Sequence, residues 1–406
     1  MSERWIMTNA RVVTPHRILP CGYVEVAEGR IVAIGHQGDL ATGGGVPAGA
    51  RVIDAGGRVA APGFLDLHVH GGGGADLMDA TSEAVKQMGE AHAKGGTTGF
   101  LATTLTSSDA DLQATLRAFR QAKRETETPG SGYRGAKLLG LHLEGPYFAL
   151  TQKGAQDPRY VKNPDPAQYL AILDEYPEVR RWSAAPELPG AGAFAAELRR
   201  RGVLASMAHT DADYDTAVRA LEAGFTHLTH FYSAMSMVRR VNCYRVPGVV
   251  EAGYLLDGLT VEVIADGHHL PAPLLRLVHK VKGPDRVALV TDAMRAAGMP
   301  EGEYLLGGLR DGQPVLSEGG VGWLPDKTSF ASSVVTFNVL LRTMVTLAGV
   351  PLADAVKMAS TTPARLIGLT GKGVLAEGFD ADLVLLNDDF TVALTAVEGR
   401  IVHQAM

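Results

Sequence analysis

Between residues 61 and 366 the chain alternates short apolar runs with amphipathic stretches, and this alternation limits it to very few architectures. The apolar runs are FLDLHVH (64–70), GFLATTL (99–105), LLGLHLE (138–144), VRRWSAAPE (179–187), VLASMAH (203–209), THLTHFY (226–232), TVEVIAD (260–266) and RVALVTD (286–292). Between them, SEAVKQMGEAHAKG, DADLQATLRAFRQAKRE, GAFAAELRRRG, DYDTAVRALEAG and PAPLLRLVHKVKG repeat apolar residues at helical spacing. Eight such units predict an α/β fold, a (β/α)8 barrel of the TIM type. A doubly wound sheet is the alternative. No Gly-x-Gly-x-x-Gly turn leads from the first strand into a helix, and GGGG at 71–74 reads as a flexible turn.

The two ends of the chain differ from the middle. MTNARVVTP, YVEVAEGRIVAIG and RVIDAGGRVAAPG alternate apolar and polar residues and are punctuated by Gly and Pro, with a loop at 41–50. The last forty residues repeat this texture. The expectation is a small β-sandwich domain built from residues 1–60 and 367–406, beside a barrel of residues 61–366.

Composition excludes several function classes. Hydrophobic residues are 46% and charged residues 20% of the 406, too balanced for a disordered chain. The formal net charge of −6 provides no overall basic field for nucleic acid. No apolar run approaches a membrane span, and the N-terminus lacks the pattern of a signal peptide. Cys21 and Cys243 cannot make a disulfide framework. A cytoplasmic protein with no membrane partner is the expectation.

Barrel chemistry sits at the C-terminal ends of the strands. Here strand 1 ends with His68 and His70, two residues apart and so on one face, and strand 3 with His142 and Glu144. Strand 5 ends with His209, strand 6 with His227 and His230, strand 7 with Asp266 followed by His268 and His269, and strand 8 with Asp292. A lone His in such a place is usually a hydrogen-bonded structural residue. Four imidazoles and two carboxylates at one pole form a donor set for a divalent ion, zinc or iron. There are enough ligands for one or two ions, with Glu144 as the bridge. Some metal-dependent barrels bridge through a modified lysine on strand 4, but VRRWSAAPEL has no lysine. His142 reads equally as a supporting group or as a structural one, and His16, His36, His92, His279 and His403 read as structural or surface residues.

Longer motifs carry a resemblance. APGFLDLHVHGGGG (61–74), LGLHLEGPYFALTQKGAQDP (139–158), MAHTDADYDTAVRALEAGFTHLTHFYSAM (207–235), VIADGHHL (263–270), LVTDAM (289–294) and MASTTPARLIGLTGKGVLAEGFDADLVLL (358–386) span nearly the whole chain. In this order they resemble the N-acetylglucosamine-6-phosphate deacetylases of the amidohydrolase superfamily. The resemblance implies a barrel with a small sandwich from both ends, a phosphorylated amino sugar as substrate, and a homodimer. It implies Glu144, His209 and His230 as ligands of the main ion, and His68 and His70 as the pair used by members with a second ion. Asp292 matches the catalytic Asp. His269 matches a His on the sugar phosphate, and Arg245 matches an Arg that reaches the phosphate from the neighbouring subunit.

The chain departs from that pattern in places. Gln156 stands where a substrate-contacting His is expected, and Ser233, before Ala234, where a substrate-facing Asn is usual. The segment SMVRRVNCYRVPG is longer than usual and carries Arg239 and Arg240, and TSFASS occupies 328–333. These changes leave the metal chemistry intact and bear on the sugar and its phosphate. One alternative is therefore an amidohydrolase acting on another N-acetyl sugar phosphate or on an unphosphorylated N-acyl substrate. Another is a non-catalytic member of the superfamily, which the retained ligands oppose.

Overall fold

In a computed structural model the protein is described over residues 4–42 and 45–406; the first three residues and part of the 41–50 loop lie outside that range. Eight parallel strands run in chain order around one sheet: Phe64–Val69, Thr97–Thr103, Lys137–Glu144, Val179–Ala184, Leu204–Met207, Phe225–Leu228, Thr260–Ile264 and Val287–Val290. Each pairs with the next in parallel register, as the eight-fold alternation predicts. The ring is nearly closed. Between strands 8 and 1, Asp292 N–H donates to His68 O at 2.9 Å and residues 69 and 293 form an isolated parallel bridge. The buried Asp66 carboxylate seals the same seam, accepting from the Thr291 hydroxyl at 2.6 Å and the Thr291 N–H at 3.2 Å.

The surrounding helices start where their sequences supply a cap. Thr81 accepts from Ala84 N ahead of Ser82–Lys94, Ser108 from Asp111 N ahead of Asp109–Glu127, and Asp213 from Thr216 N ahead of Tyr214–Ala223. Asp165 caps Pro166–Glu175, which has proline in its first turn; the periodicity had not marked this helix. The inward faces pack on the barrel in one apolar cluster that includes Val85, Met88, Phe119 and Leu275.

Strands from both chain ends form a sheet of their own. Val59–Pro62 pairs antiparallel with Leu383–Leu386 and parallel with Trp5–Val13, so the N-terminal and C-terminal strands join edge to edge. They enclose a separate apolar cluster containing Trp5, Met7, Val24, Ile31, Leu383 and Leu394. The strand Val59–Pro62 runs across position 60, where the sequence pattern changes. A further four-stranded antiparallel sheet spans Gly302–Leu306, Gln313–Glu318, Val321–Trp323 and Phe330–Ser333. Its last strand returns to the barrel mouth, where the Ser333 hydroxyl donates to Thr291 O at 2.5 Å and the Ser332 hydroxyl to Asp292 O. No helix among the described residues is long and apolar enough to cross a membrane.

Candidate metal centre

Ends of barrel strands 1, 3, 5, 6 and 8 converge on one small volume. Glu144 Oε1 lies 3.1 Å from His230 Nε2, 3.4 Å from His209 Nε2 and 3.5 Å from His68 Nε2. Its other oxygen lies 3.5 Å from His70 Nε2. Two triads result, His68–His70–Glu144 and Glu144–His209–His230, and they share the carboxylate. Asp292 Oδ1 stands 3.1 Å from His70 Nε2 and 3.4 Å from His68 Nε2. His209, His230 and Asp292 have φ of 46°, 28° and 46°, in the left-handed region that L-residues rarely occupy. Such strain collects where a side chain must be aimed at a functional point.

The partners of the imidazoles settle their tautomers. Carbonyls and carboxylates can only accept, so the Nδ1–H of His209 donates to Gln152 O at 2.7 Å, that of His70 to Thr103 O at 3.3 Å and that of His68 to Glu262 Oε1 at 2.8 Å. Each of these three rings therefore turns its Nε2 into the cluster. The Nε2 atoms of His68 and His70 are only 3.2 Å apart, as are those of His209 and His230. Two ring nitrogens at that distance repel unless a proton or a metal cation lies between them. Four imidazole nitrogens and a carboxylate, all buried, fit a borderline divalent ion.

Charge perturbations agree with this preference. Burial pulls His70 down, but its hydrogen bond to Asp292 and the charge of Glu144 outweigh it and push the ring up to about 9. Burial opposes ionisation of Glu144, yet the charge of His68 and the bonds to His209 and His230 hold it well below the ordinary carboxylate range. Asp292 is also held below its ordinary value, because His68 and His70 outweigh burial. The carboxylate beside the cluster is thus ionised.

Beneath the cluster lies a buried polar layer that strand-end reasoning missed. Glu262, on strand 7, accepts from His68 Nδ1 and from the backbone N–H of His230 at 3.0 Å, so one carboxylate steadies a residue of each triad. Arg181, from strand 4, pairs with Glu262 and donates to Ser206 Oγ at 3.0 Å and to Thr229 Oγ1 at 2.8 Å. The charge of Arg181 keeps Glu262 well below its ordinary range in spite of burial. His142 and His227 belong to this layer: His142 bonds the Ser183 hydroxyl at 2.7 Å and His227 the Thr260 hydroxyl at 2.7 Å. One signal was present in the sequence, the charged Arg180, Arg181 and Glu262 in strands otherwise apolar or small.

A cavity of about 210 Å³ opens over the centre. Glu144, His209, His230, His70 and Asp292 form its floor, and Gln156, Ser233, Ala234, His269 and residues 329–332 line its walls. His269 is aimed by Asp266, which accepts its Nδ1–H at 2.7 Å and its backbone N–H at 2.9 Å. Arg245 is not on the wall. It sits on the exposed hairpin of Arg239–Val241 and Tyr244–Val246, opposite Arg240 in register.

Residues 59–402 match the model of the amidohydrolase family. The chain belongs to the amidohydrolase family. It is a hydrolase of carbon–nitrogen bonds, and the His–Glu cluster is its candidate metal centre. It is similar to the N-acetylglucosamine-6-phosphate deacetylase of Lysinibacillus sphaericus, 34% identical over 87% of this chain and 88% of that protein. It is also similar to the N-acetylgalactosamine-6-phosphate deacetylase of Escherichia coli O157:H7, 31% identical over 98% of each. Among solved structures, one is a variant N-acetyl-D-glucosamine-6-phosphate deacetylase of Mycobacterium smegmatis, with an aspartate replaced by alanine, in complex with N-acetyl-D-glucosamine-6-phosphate. It aligns with a TM-score of 0.86 and 33% identity, covering 98% of this chain and 99% of that one.

Proposed function

We propose that this amidohydrolase removes the N-acetyl group of an amino-sugar 6-phosphate, releasing glucosamine-6-phosphate and acetate from N-acetylglucosamine-6-phosphate. The observation that carries the reading is the pair of triads sharing Glu144, with Asp292 beside them, in a chain similar along most of its length to such deacetylases. Glu144, His209 and His230 would hold the main ion, and His68 and His70 would join Glu144 for a second; imidazole-rich ligation favours zinc, with iron the alternative. A divalent ion there supplies electrophilic activation of water and of the acyl carbonyl.

The chain's own groups do the rest. The ionised Asp292 carboxylate takes the proton of the attacking water and hands it to the departing nitrogen as the C–N bond breaks. His269, held by Asp266, and the walls at Gln156, Ser233 and Ala234 orient the sugar. Arg245 lies outside the cavity of its own chain, and the resemblance assigns an Arg at this place to the phosphate of a neighbouring copy in a homodimer. Met237, Val238, Val241 and Tyr244, all exposed on or beside the same hairpin, support that contact. Unpaired Cys21 and Cys243 support a cytoplasmic setting. The division into a small domain (1–60, 367–406) and a catalytic barrel (61–366) belongs to the same reading.

Similarity to an N-acetylgalactosamine-6-phosphate deacetylase supports the galacto epimer as a second reading. Amine release from the 6-phosphates of N-acetylglucosamine, N-acetylgalactosamine and N-acetylmannosamine, from their unphosphorylated forms and from an N-acetyl amino acid decides between them. The expected result is strong activity on one phosphosugar, reduced about 10²–10⁴-fold in Asp292→Asn with bound metal retained. Activity confined to unphosphorylated amides overturns the phosphate assignment.

A further inference from the structure

The loop after the third barrel strand folds back over the metal centre and touches two of its ligands. Gln152 O receives the His209 Nδ1–H, and Gly154, at φ +56°, leaves a Cβ position only 3.4 Å from His209 Cε1. Gln156 follows and is 4% exposed. Its Oε1 accepts the backbone N–H of Thr106 at 2.8 Å, and its Nε2 donates to Glu144 Oε2 at 2.7 Å. A backbone N–H can only donate, so Thr106 fixes which end of the amide faces Glu144. The amide is tethered at both ends.

Glu144 spreads its two oxygens over both triads. Oε1 faces His68, His209 and His230, and Oε2 faces His70. A carboxylate turns readily about its terminal torsion, so a bridging arrangement needs something to stop it. Among the described residues, the one N–H donated to Oε2 comes from Gln156. We infer that Gln156 is a positioning residue that locks Glu144 as a bridge, turning Oε2 toward His70 so that the second ion is held. This rests on the two-ion reading of the centre. It also assigns the Gln a task apart from the substrate contact expected at its position.

The test is metal uptake by the full-length protein, stripped with a chelator and titrated with cobalt(II) in a calorimeter, with metal content measured after desalting. The parent takes up two equivalents. Gln156→Met keeps the length and removes the donor; it binds the first equivalent as the parent does and the second about 10–100-fold more weakly. Gln156→Ala leaves room for water at the Thr106 N–H and gives the same pattern, which guards against a packing fault in the Met variant. Each of three outcomes overturns the inference: one equivalent in the parent, equal loss of both equivalents in the variants, or unchanged uptake with only a raised KM. Uptake is read without substrate, so failure of the deacetylase reading leaves this result standing, and the converse also holds.

Discussion

At the residue scale, the buried Arg181–Glu262 pair is costly to disturb from one side. Both groups are fully buried, and Glu262 also accepts from His68 and His230. Arg181→Met strands the carboxylate and destabilises the fold by about 3–5 kcal/mol, whereas Arg181→Met with Glu262→Gln recovers most of that loss. Denaturant unfolding of the three proteins checks this, and equal losses in the single and double variants would sink it. The ligand-type residues were legible because a barrel places its chemistry at strand ends, so His68, His70, Glu144, His209, His230 and Asp292 could be picked strand by strand. Arg181 and Glu262 were not. Their meaning depends on strands 4 and 7 facing each other through the barrel interior, a pairing that no local pattern encodes. The place of Gln156 was visible only as a departure from a motif, since its bond to Glu144 comes from the path of a loop.

Elements reveal a different division. All eight barrel strands follow their apolar runs, though several stop two or three residues sooner, where the chain turns to aim a side chain into the centre. The four-stranded sheet at 302–333 went unread. Its strands are short and half-exposed, and its Gly–Gly turn in SEGGVGW was the one clear hairpin signal. Among the helices, Ala272–Lys282 ends in a strained charge. Lys282 is 4% exposed and its Nζ has the Leu256 carbonyl at 3.2 Å. Burial first, then the charge of Arg286, pushes its pKa from 10.5 down to about 8. The folded state therefore binds fewer protons than the unfolded chain between about 8 and 10.5, and stability attributable to this group rises with pH across that window. Lys282→Met should melt above the parent at pH 7, and the gap should close as pH approaches 10. A gap that stays constant from pH 7 to 10 would show that the lysine charge is not its source.

On the scale of the whole molecule, the exposed hairpin of residues 239–246 lies outside the lining of its own cavity. Under the proposed dimer, Arg245→Ala raises KM for the phosphorylated sugar about ten-fold or more, the loss of one charge-assisted hydrogen bond, and leaves the unphosphorylated sugar unaffected. Steady-state kinetics on both substrates read this directly, and an equal rise in both KM values would dismiss the phosphate role.

The joined ends of the chain bear on how the protein is made. Trp5 Nε1 donates to Gly399 O at 2.8 Å, across a sequence separation of 394 residues. Val59–Pro62 has no antiparallel neighbour until Leu383–Leu386 emerges from the ribosome. For most of translation the early strands thus carry an open apolar edge, the kind of surface that recruits other nascent chains. The barrel strands are complete by residue 290, well before that edge is covered. Synthesis therefore passes through a long interval in which the reaction centre can assemble while the N-terminal strands still wait for their partners, and chaperone occupancy should concentrate there.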